Sequence, residues 1–155
     1  MTKQQRLADF LALSVEFTAF SEVELYGTGM AQAYLDTADR IVGKCLVDQI
    51  LDRHAGIATA DLADRLAALR RTLLGDERFG PVLRSIVKLW YIGTWFALPA
   101  DWQQHYGPKP ADGTFVVSPT AYVEGLLWPA IGAHPPGAKA PGFGSWQYPP
   151  TIPAF

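Results

Sequence analysis

Eleven of the twelve prolines lie after Leu98, and this placement constrains the fold more than any other feature of the chain. Proline lacks a backbone N–H and locks φ at about −65°, so inside a helix it costs roughly 3 kcal/mol or more. Long helices are thereby confined to residues 1–98. The same stretch holds eleven of the thirteen lysines and arginines and twelve of the fifteen acidic residues, which supply the solvated faces of amphipathic helices. Residues 99–131 read as loop with one short helix, and residues 132–155 as a Pro/Gly-rich extended tail. The expected class is mainly α: one domain, a small bundle of four to five helices ending in that tail.

Apolar spacing places the helices. Leu7, Phe10, Leu11, Ser14 and Phe17 share a face at i, i+3, i+4 and i+7, predicting a first helix from Gln4 to Phe20. Beyond Tyr26-Gly27-Thr28-Gly29, a second stretch runs from Thr28 through Leu35, Ile41, Cys45 and Ile50 to His54, with Gly56 after it. A third helix, capped by Thr59 or Asp61, carries the seam Leu62, Leu66, Leu69 and Leu73 and stops at Gly75. A fourth begins between Asp76 and Pro81, presents Val82, Ile86 and Leu89, and is expected to stop at Pro99. Ser118-Pro119 has the N-cap and N1 pattern of a fifth.

Composition removes several functional classes. Thirteen basic against fifteen acidic residues give a net charge of −2 with no basic stripe, which argues against nucleic acid as a partner. The single cysteine, Cys45, excludes an internal disulfide and is expected as a buried free thiol. The start of the chain is amphipathic, with Asp9 and Glu16 where an export signal would be apolar, so no signal peptide is expected in the sequence as it stands. The run from Ile86 to Ala100 is broken by Lys88 and falls short of the roughly 20 residues that span a bilayer. Arg70-Arg71 sits mid-chain on a charged helix face without a following apolar region, so it reads as solvated surface. Gly27-Thr28-Gly29 lacks the third glycine and the preceding strand of a dinucleotide fingerprint. His54, His105 and His134 lack the spacing of metal ligands. No catalytic, cofactor-binding or metal-binding residue is assigned within this chain.

Two segments stand out for their aromatics. Leu89-Trp90-Tyr91-Ile92-Gly93-Thr94-Trp95-Phe96 carries four in eight residues, which means either complete burial or a contact surface. The tail carries Phe143, Trp146, Tyr148 and Phe155 among prolines 135, 136, 141, 149, 150 and 153. Ordering each residue costs roughly 1–2 kcal/mol. Prolines lessen that cost by about 0.4–1 kcal/mol each, and each buried aromatic returns about 1.5–3 kcal/mol. Such a tail suits an extended strap lying in a groove.

Across nearly its whole length the chain resembles the small subunit of bacterial membrane-bound, FAD-dependent sugar and polyol dehydrogenase complexes, the sorbitol, fructose and glucose dehydrogenases. The matching residues are Phe10-Leu11-Ala12-Leu13-Ser14, Leu89-Trp90-Tyr91-Ile92-Gly93, Tyr122 to Trp128, and Gly132-Ala133-His134-Pro135-Pro136-Gly137 followed by Gly142-Phe143-Gly144-Ser145-Trp146. The ending Pro153-Ala154-Phe155 is similar too. The resemblance implies a non-catalytic subunit that binds a large FAD-containing subunit and supports its maturation, stability and export, in a chaperone-like role. A cytochrome c subunit with haem c passes electrons to membrane quinone. It also implies the periplasmic side of the inner membrane, with the membrane contacted only indirectly. Partner contact is then expected at Trp90, Tyr91, Trp95, His134, Pro135, Pro136, Phe143, Trp146, Tyr148, Pro153 and Phe155. Two other readings carry different expectations: a self-contained small enzyme using His134 and Glu124 in a pocket between the fifth helix and the tail, and a peripheral membrane module whose aromatic helix sits at the lipid interface.

Overall fold

The structure is a computed structural model, and it describes residues 2–57 and 61–139. Six helical stretches build a bundle. α1 (Lys3–Thr18) opens on Thr2, whose hydroxyl accepts from the Gln5 amide at 3.1 Å. α2 is Glu22–Gly27, α3 Ala31–Val42, α4 Lys44–Ala55 and α5 Leu62–Leu69. α5 continues through a π-helical turn, Arg70–Leu74, and α6 is Phe79–Ile92. The mainly α class and the small bundle expected from the sequence are both present. α1 packs on α3, α4 and α6, and α3 packs on α4 and α6. Phe10, Leu11, Tyr34, Leu35, Ile50, Leu83 and Leu89 meet there, all fully or almost fully buried.

Four departures from the expected helices have physical causes. α2 was missed, although Ser21 and Glu24 form a capping box: the Glu24 carboxylate accepts from the Ser21 amide and hydroxyl at 2.7 and 2.6 Å. The expected second helix is two helices, because Gly43 takes φ +93° and ψ 139° between α3 and α4. That break lets Arg6 be gripped from both sides. Its guanidinium donates to both carboxylate oxygens of Asp39 on α3, at 2.7 and 2.8 Å, and to Asp48 on α4 at 2.5 Å. The third helix is capped by Asp61, as its sequence allows, but Leu62 and Leu66 are 70% and 40% exposed, so its seam is buried only from Leu69 onward. α6 stops at Gly93 (φ +64°), six residues before Pro99.

Cys45 is exposed, which corrects the expected buried thiol; the buried face of α4 is formed by Leu46, Val47, Ile50, Leu51 and His54. Arg70 and Arg71 are exposed, as a solvated face requires.

The rest of the described chain lies against the end of α6. β1 (Thr94–Trp95) pairs antiparallel with β2 (Phe115–Val116), with Thr94 opposite Val116 and Trp95 opposite Phe115. Between them, α7 (Ala100–Tyr106) begins just after Pro99. Asp112 ties this hairpin together, accepting from the Trp95 indole (2.8 Å), the Leu98 amide (2.8 Å) and the Gln103 side chain (3.0 Å). α8 (Pro119–Val123) starts at Ser118, whose hydroxyl accepts from the Ala121 amide at 3.0 Å, and α9 is Leu127–Ala130.

The last carbonyls of α6 would be left without partners if they met only side chains. Instead the Leu126 amide donates to the Trp90 carbonyl at 3.0 Å, and the Val117 amide to that of Gly93 at 2.9 Å. This needs backbone against backbone. A Cβ on Gly93 would sit 2.4 Å from the Ala121 carbonyl oxygen, and one on Gly125 would sit 2.7 Å from that of Tyr91.

Candidate functional site

The Leu89-to-Tyr91 stretch and the described start of the tail, residues 132–139, border one place. Trp90 sits at its centre: its ring stacks on Phe10 (centroids 6.1 Å apart, planes at 26°) and meets Tyr34 edge-on at 4.9 Å. Its indole N–H donates to the Ser14 hydroxyl at 2.9 Å, and that hydroxyl donates in turn to the Phe10 carbonyl at 2.7 Å. Trp90 is 1% exposed and Trp95 0%. The expectation that these two tryptophans touch a partner is corrected by their position: both complete this chain's own core. Helix α6 turns its Trp90 inward to α1 and α3, and β1 turns Trp95 onto Asp112. Tyr91 is half-buried, with its hydroxyl donating to the Thr18 carbonyl at 2.8 Å and its ring edge-on to Phe20. Its outer part remains on the surface.

From the Tyr91 edge the surface dips into a groove of about 360 Å³. One wall is Phe20 with Glu24 and Thr28 of α2; the other is Glu124, Trp128 and His134. Local chemistry sets the second wall. The Trp128 indole donates to the Tyr122 carbonyl at 2.9 Å, and its ring meets that of Tyr122 edge-on at 5.4 Å. The Ala133 amide donates to the Trp128 carbonyl at 2.8 Å, turning the chain back so that His134 and Pro135 line the groove while Pro136 points to solvent. Lys139 closes one end, its ammonium 2.6 Å from the Glu124 carboxylate. Val23 and Tyr26 on α2 are 80% and 51% exposed.

The groove therefore joins apolar walls to a few polar groups, as ligand-binding and peptide-binding clefts do. Ser21 holds the Glu24 carboxyl below the ordinary carboxylate range, through its hydroxyl first and then its amide. His134 Nδ1 is buried and has no hydrogen-bond partner among the described residues. The Tyr34 hydroxyl is in the same condition; burial, and after it the charge of Glu124, push its pKa up, so it stays protonated.

Of the expected contact residues, Tyr91, His134 and Pro135 border or line this groove, and Pro136 is exposed beside it. Phe143, Trp146, Tyr148, Pro153 and Phe155 lie outside the described residues. Glu24, Thr28 and Lys139 were missed by sequence reasoning. The Ser21-x-x-Glu24 capping box is the signal that could have placed α2, and hence its wall; nothing local marks Lys139, which is selected only by the turn that brings it to Glu124. Among the described residues, no helix is long and apolar enough to cross a membrane.

The chain matches no protein-family model, no curated protein and no solved structure.

Proposed function

We propose that the chain is the non-catalytic small subunit of an FAD-dependent sugar or polyol dehydrogenase complex, which binds the flavoprotein subunit and supports its maturation, stability and export on the periplasmic side of the membrane. Haem c belongs to a third, cytochrome subunit in this reading, and FAD to the flavoprotein. The observation that carries the reading is that, among the described residues, the separated segments bearing the resemblance are neighbours in space. Phe10 to Ser14 holds Trp90, the Trp90-to-Gly93 backbone holds residues 121–126, and Trp128 turns Gly132 to Gly137 into a groove wall. In this reading the partner meets the rim formed by Tyr91, His134 and Pro136, and the tail straps across it.

The test is co-expression with an FAD-dependent sugar dehydrogenase large subunit encoded in the same genome. The full chain should co-purify with a flavin-loaded partner, and a chain ending at Lys139 should yield at least about tenfold less, given roughly 1.5–3 kcal/mol per lost aromatic contact. A flavin-loaded, active dehydrogenase obtained equally well without this chain would overturn the proposal.

A second reading, a small hydrolytic or proton-transfer enzyme, is favoured by one observation: His134 and Glu124 line the same groove. In that case the purified chain turns over a substrate unaided and His134→Ala abolishes turnover with the fold intact.

A further inference from the structure

The side chains that line the groove hold hydrogen-bonding capacity that the described residues do not use, and most of it is anionic. Glu24 Oε2 accepts both Ser21 donors, at 2.7 and 2.6 Å, which leaves Oε1 without a partner among the described residues. Glu124 Oε2 meets the Lys139 ammonium at 2.6 Å, and its Oε1 is likewise unpaired among them. Thr28 offers nothing more: its hydroxyl donates to the Leu25 carbonyl at 2.7 Å and accepts from the Met30 amide at 3.1 Å. Two carboxylates therefore stand against one ammonium, a surplus of negative charge. On the Glu124 side, His134 adds the buried Nδ1 that has no hydrogen-bond partner among the described residues. An unpaired buried polar atom is costly, and a donor inserted at this wall removes that cost. The remaining lining, Phe20, Leu126, Trp128 and Pro129, is apolar. A volume of about 360 Å³ lies at the small end of ligand pockets and suits one ring with a short chain.

We propose that the groove is a binding site for a small organic cation, an apolar group carrying a primary ammonium, with Glu24 and Glu124 as its charge partners. An ammonium has three donors and no acceptor, which matches a lining whose free groups are carboxylate oxygens. An alcohol of the same shape brings one donor and no charge, and a carboxylate is repelled by both glutamates. The attraction is strongest at Glu124, whose side chain is only 25% exposed, because a partly buried charge is screened less by salt than one in open solvent. The apolar body of the ligand gains by leaving water for Phe20 and Trp128. Lys139 is a built-in competitor: its ammonium already holds one oxygen of Glu124, so the ligand takes the other or displaces the lysine. The site adjoins the rim that the proposed function gives to a flavoprotein, but binding at it does not depend on that reading.

The experiment is an NMR titration of the nitrogen-15-labelled full-length chain, at neutral pH, with three probes of similar size: 2-phenylethylammonium, 2-phenylethanol and 3-phenylpropionate. The ammonium should shift the Thr28 and Gly125 amides and the Trp128 indole N–H, and bind about tenfold more tightly than the alcohol, the scale of a hydrogen bond to a charged group. The carboxylate should bind most weakly. Equal affinity for the three probes, tighter binding of the carboxylate, no saturation at any accessible concentration, or shifts confined to another part of the molecule each overturn the proposal. Two variants move the affinity in opposite directions, which a merely structural role would not produce. Glu124→Gln should weaken ammonium binding about tenfold, and Lys139→Gln, by freeing Glu124, should strengthen it about threefold. An unchanged or lower affinity in Lys139→Gln sinks the idea. Should Glu124→Gln disturb its wall, Glu24→Gln replaces it: glutamine can still close the capping box, and a loss of about threefold is expected where an unchanged affinity contradicts the site. No flavoprotein is present, so these results read separately from the co-purification that tests the subunit assignment.

Discussion

Two halves of the molecule, Lys3–Ile92 and Thr94–Lys139, are held together by different forces. In the first, helices bury continuous apolar faces, and polar contacts trim the edges of a core containing Phe10, Tyr34, Leu35 and Leu83. In the second, strands of two residues and helices of four to seven bury single side chains such as Trp95, Trp102 and Leu126, and single groups fix where they go: Asp112 gathers three donors, and the Trp90 carbonyl anchors Leu126. Area burial is tolerant, because its cost is spread over many contacts; point contacts are not. The groove lies where the two halves meet, so one wall is set by packing and the other by hydrogen bonds.

The largest expected effect is in the packed half. Trp90→Ala removes a fully buried ring and the partner of Ser14, and should cost about 3–5 kcal/mol, read as a lower urea midpoint for the whole chain. A local loss confined to residues 94–139 would show the halves to be independent. Gly93→Ala attacks the seam itself. The left-handed backbone alone costs about 1–2 kcal/mol, and the added Cβ pushes against the Ala121 carbonyl, so the variant should lose more than that and expose Leu126. Asp112→Ala leaves the Trp95 indole and the Leu98 amide without an acceptor. About 1–3 kcal/mol should be lost, appearing as faster exchange over 94–116 while α1, α3 and α4 stay protected.

A smaller effect distinguishes the halves by pH. Glu16 on α1 accepts from Arg65 and pairs with the buried His54 at 3.2 Å. Burial pushes the His54 pKa below its ordinary 6.5, outweighing the upward pull of the Glu16 charge and hydrogen bond. The unfolded imidazole therefore takes a proton at higher pH than the folded one. Its contribution is complete above pH 6.5 and is lost as pH falls below that value. For Glu16, burial pushes upward, but the Arg65 hydrogen bond and the charges of His54 and Arg65 together prevail and hold it below 4.5. That contribution is present above pH 4.5 and fades only below it. The urea midpoint should fall between pH 7.5 and 5.5, and His54→Gln should flatten that segment of the curve and lessen the loss below pH 4.5, because the His54 charge helps hold the Glu16 pKa down. The smallest effect is at Cys45: Cys45→Ser should change stability by less than about 0.5 kcal/mol, and the folded protein should react with a thiol reagent without denaturant.

The helical half was largely legible before folding. Periodicity identified the buried faces of α1 and α6, and Asp61 and Ser118 announced their caps. The failures there are instructive. Gly43 sits inside an unbroken apolar period, and only the ion pairs of Arg6 with Asp39 and Asp48 on either side require the chain to break at it. Leu62 and Leu66 fit a seam perfectly well, yet no neighbouring helix reaches them. Of the candidate site, His134 and Glu124 were foreseen as sharing one pocket; Glu24, Thr28 and Lys139 were not, because α2 is too short to show a period and Lys139 arrives by a turn.

Composition and spacing alone thus determined that this chain is mainly α, that its long helices lie before Leu98, and that a segment rich in proline and aromatic residues closes the sequence. Those properties are local: proline is excluded from a helix interior beyond the first turn whatever surrounds it, and an apolar stripe needs only its own helix to exist. Tertiary structure decided which aromatics are core and which are surface. Trp90 and Tyr91 are adjacent in sequence and about 100° apart around a helix, so one closes the core against Phe10 and Tyr34 while the other borders the groove. That difference depends on what packs beside α6, which no property of the residues themselves records.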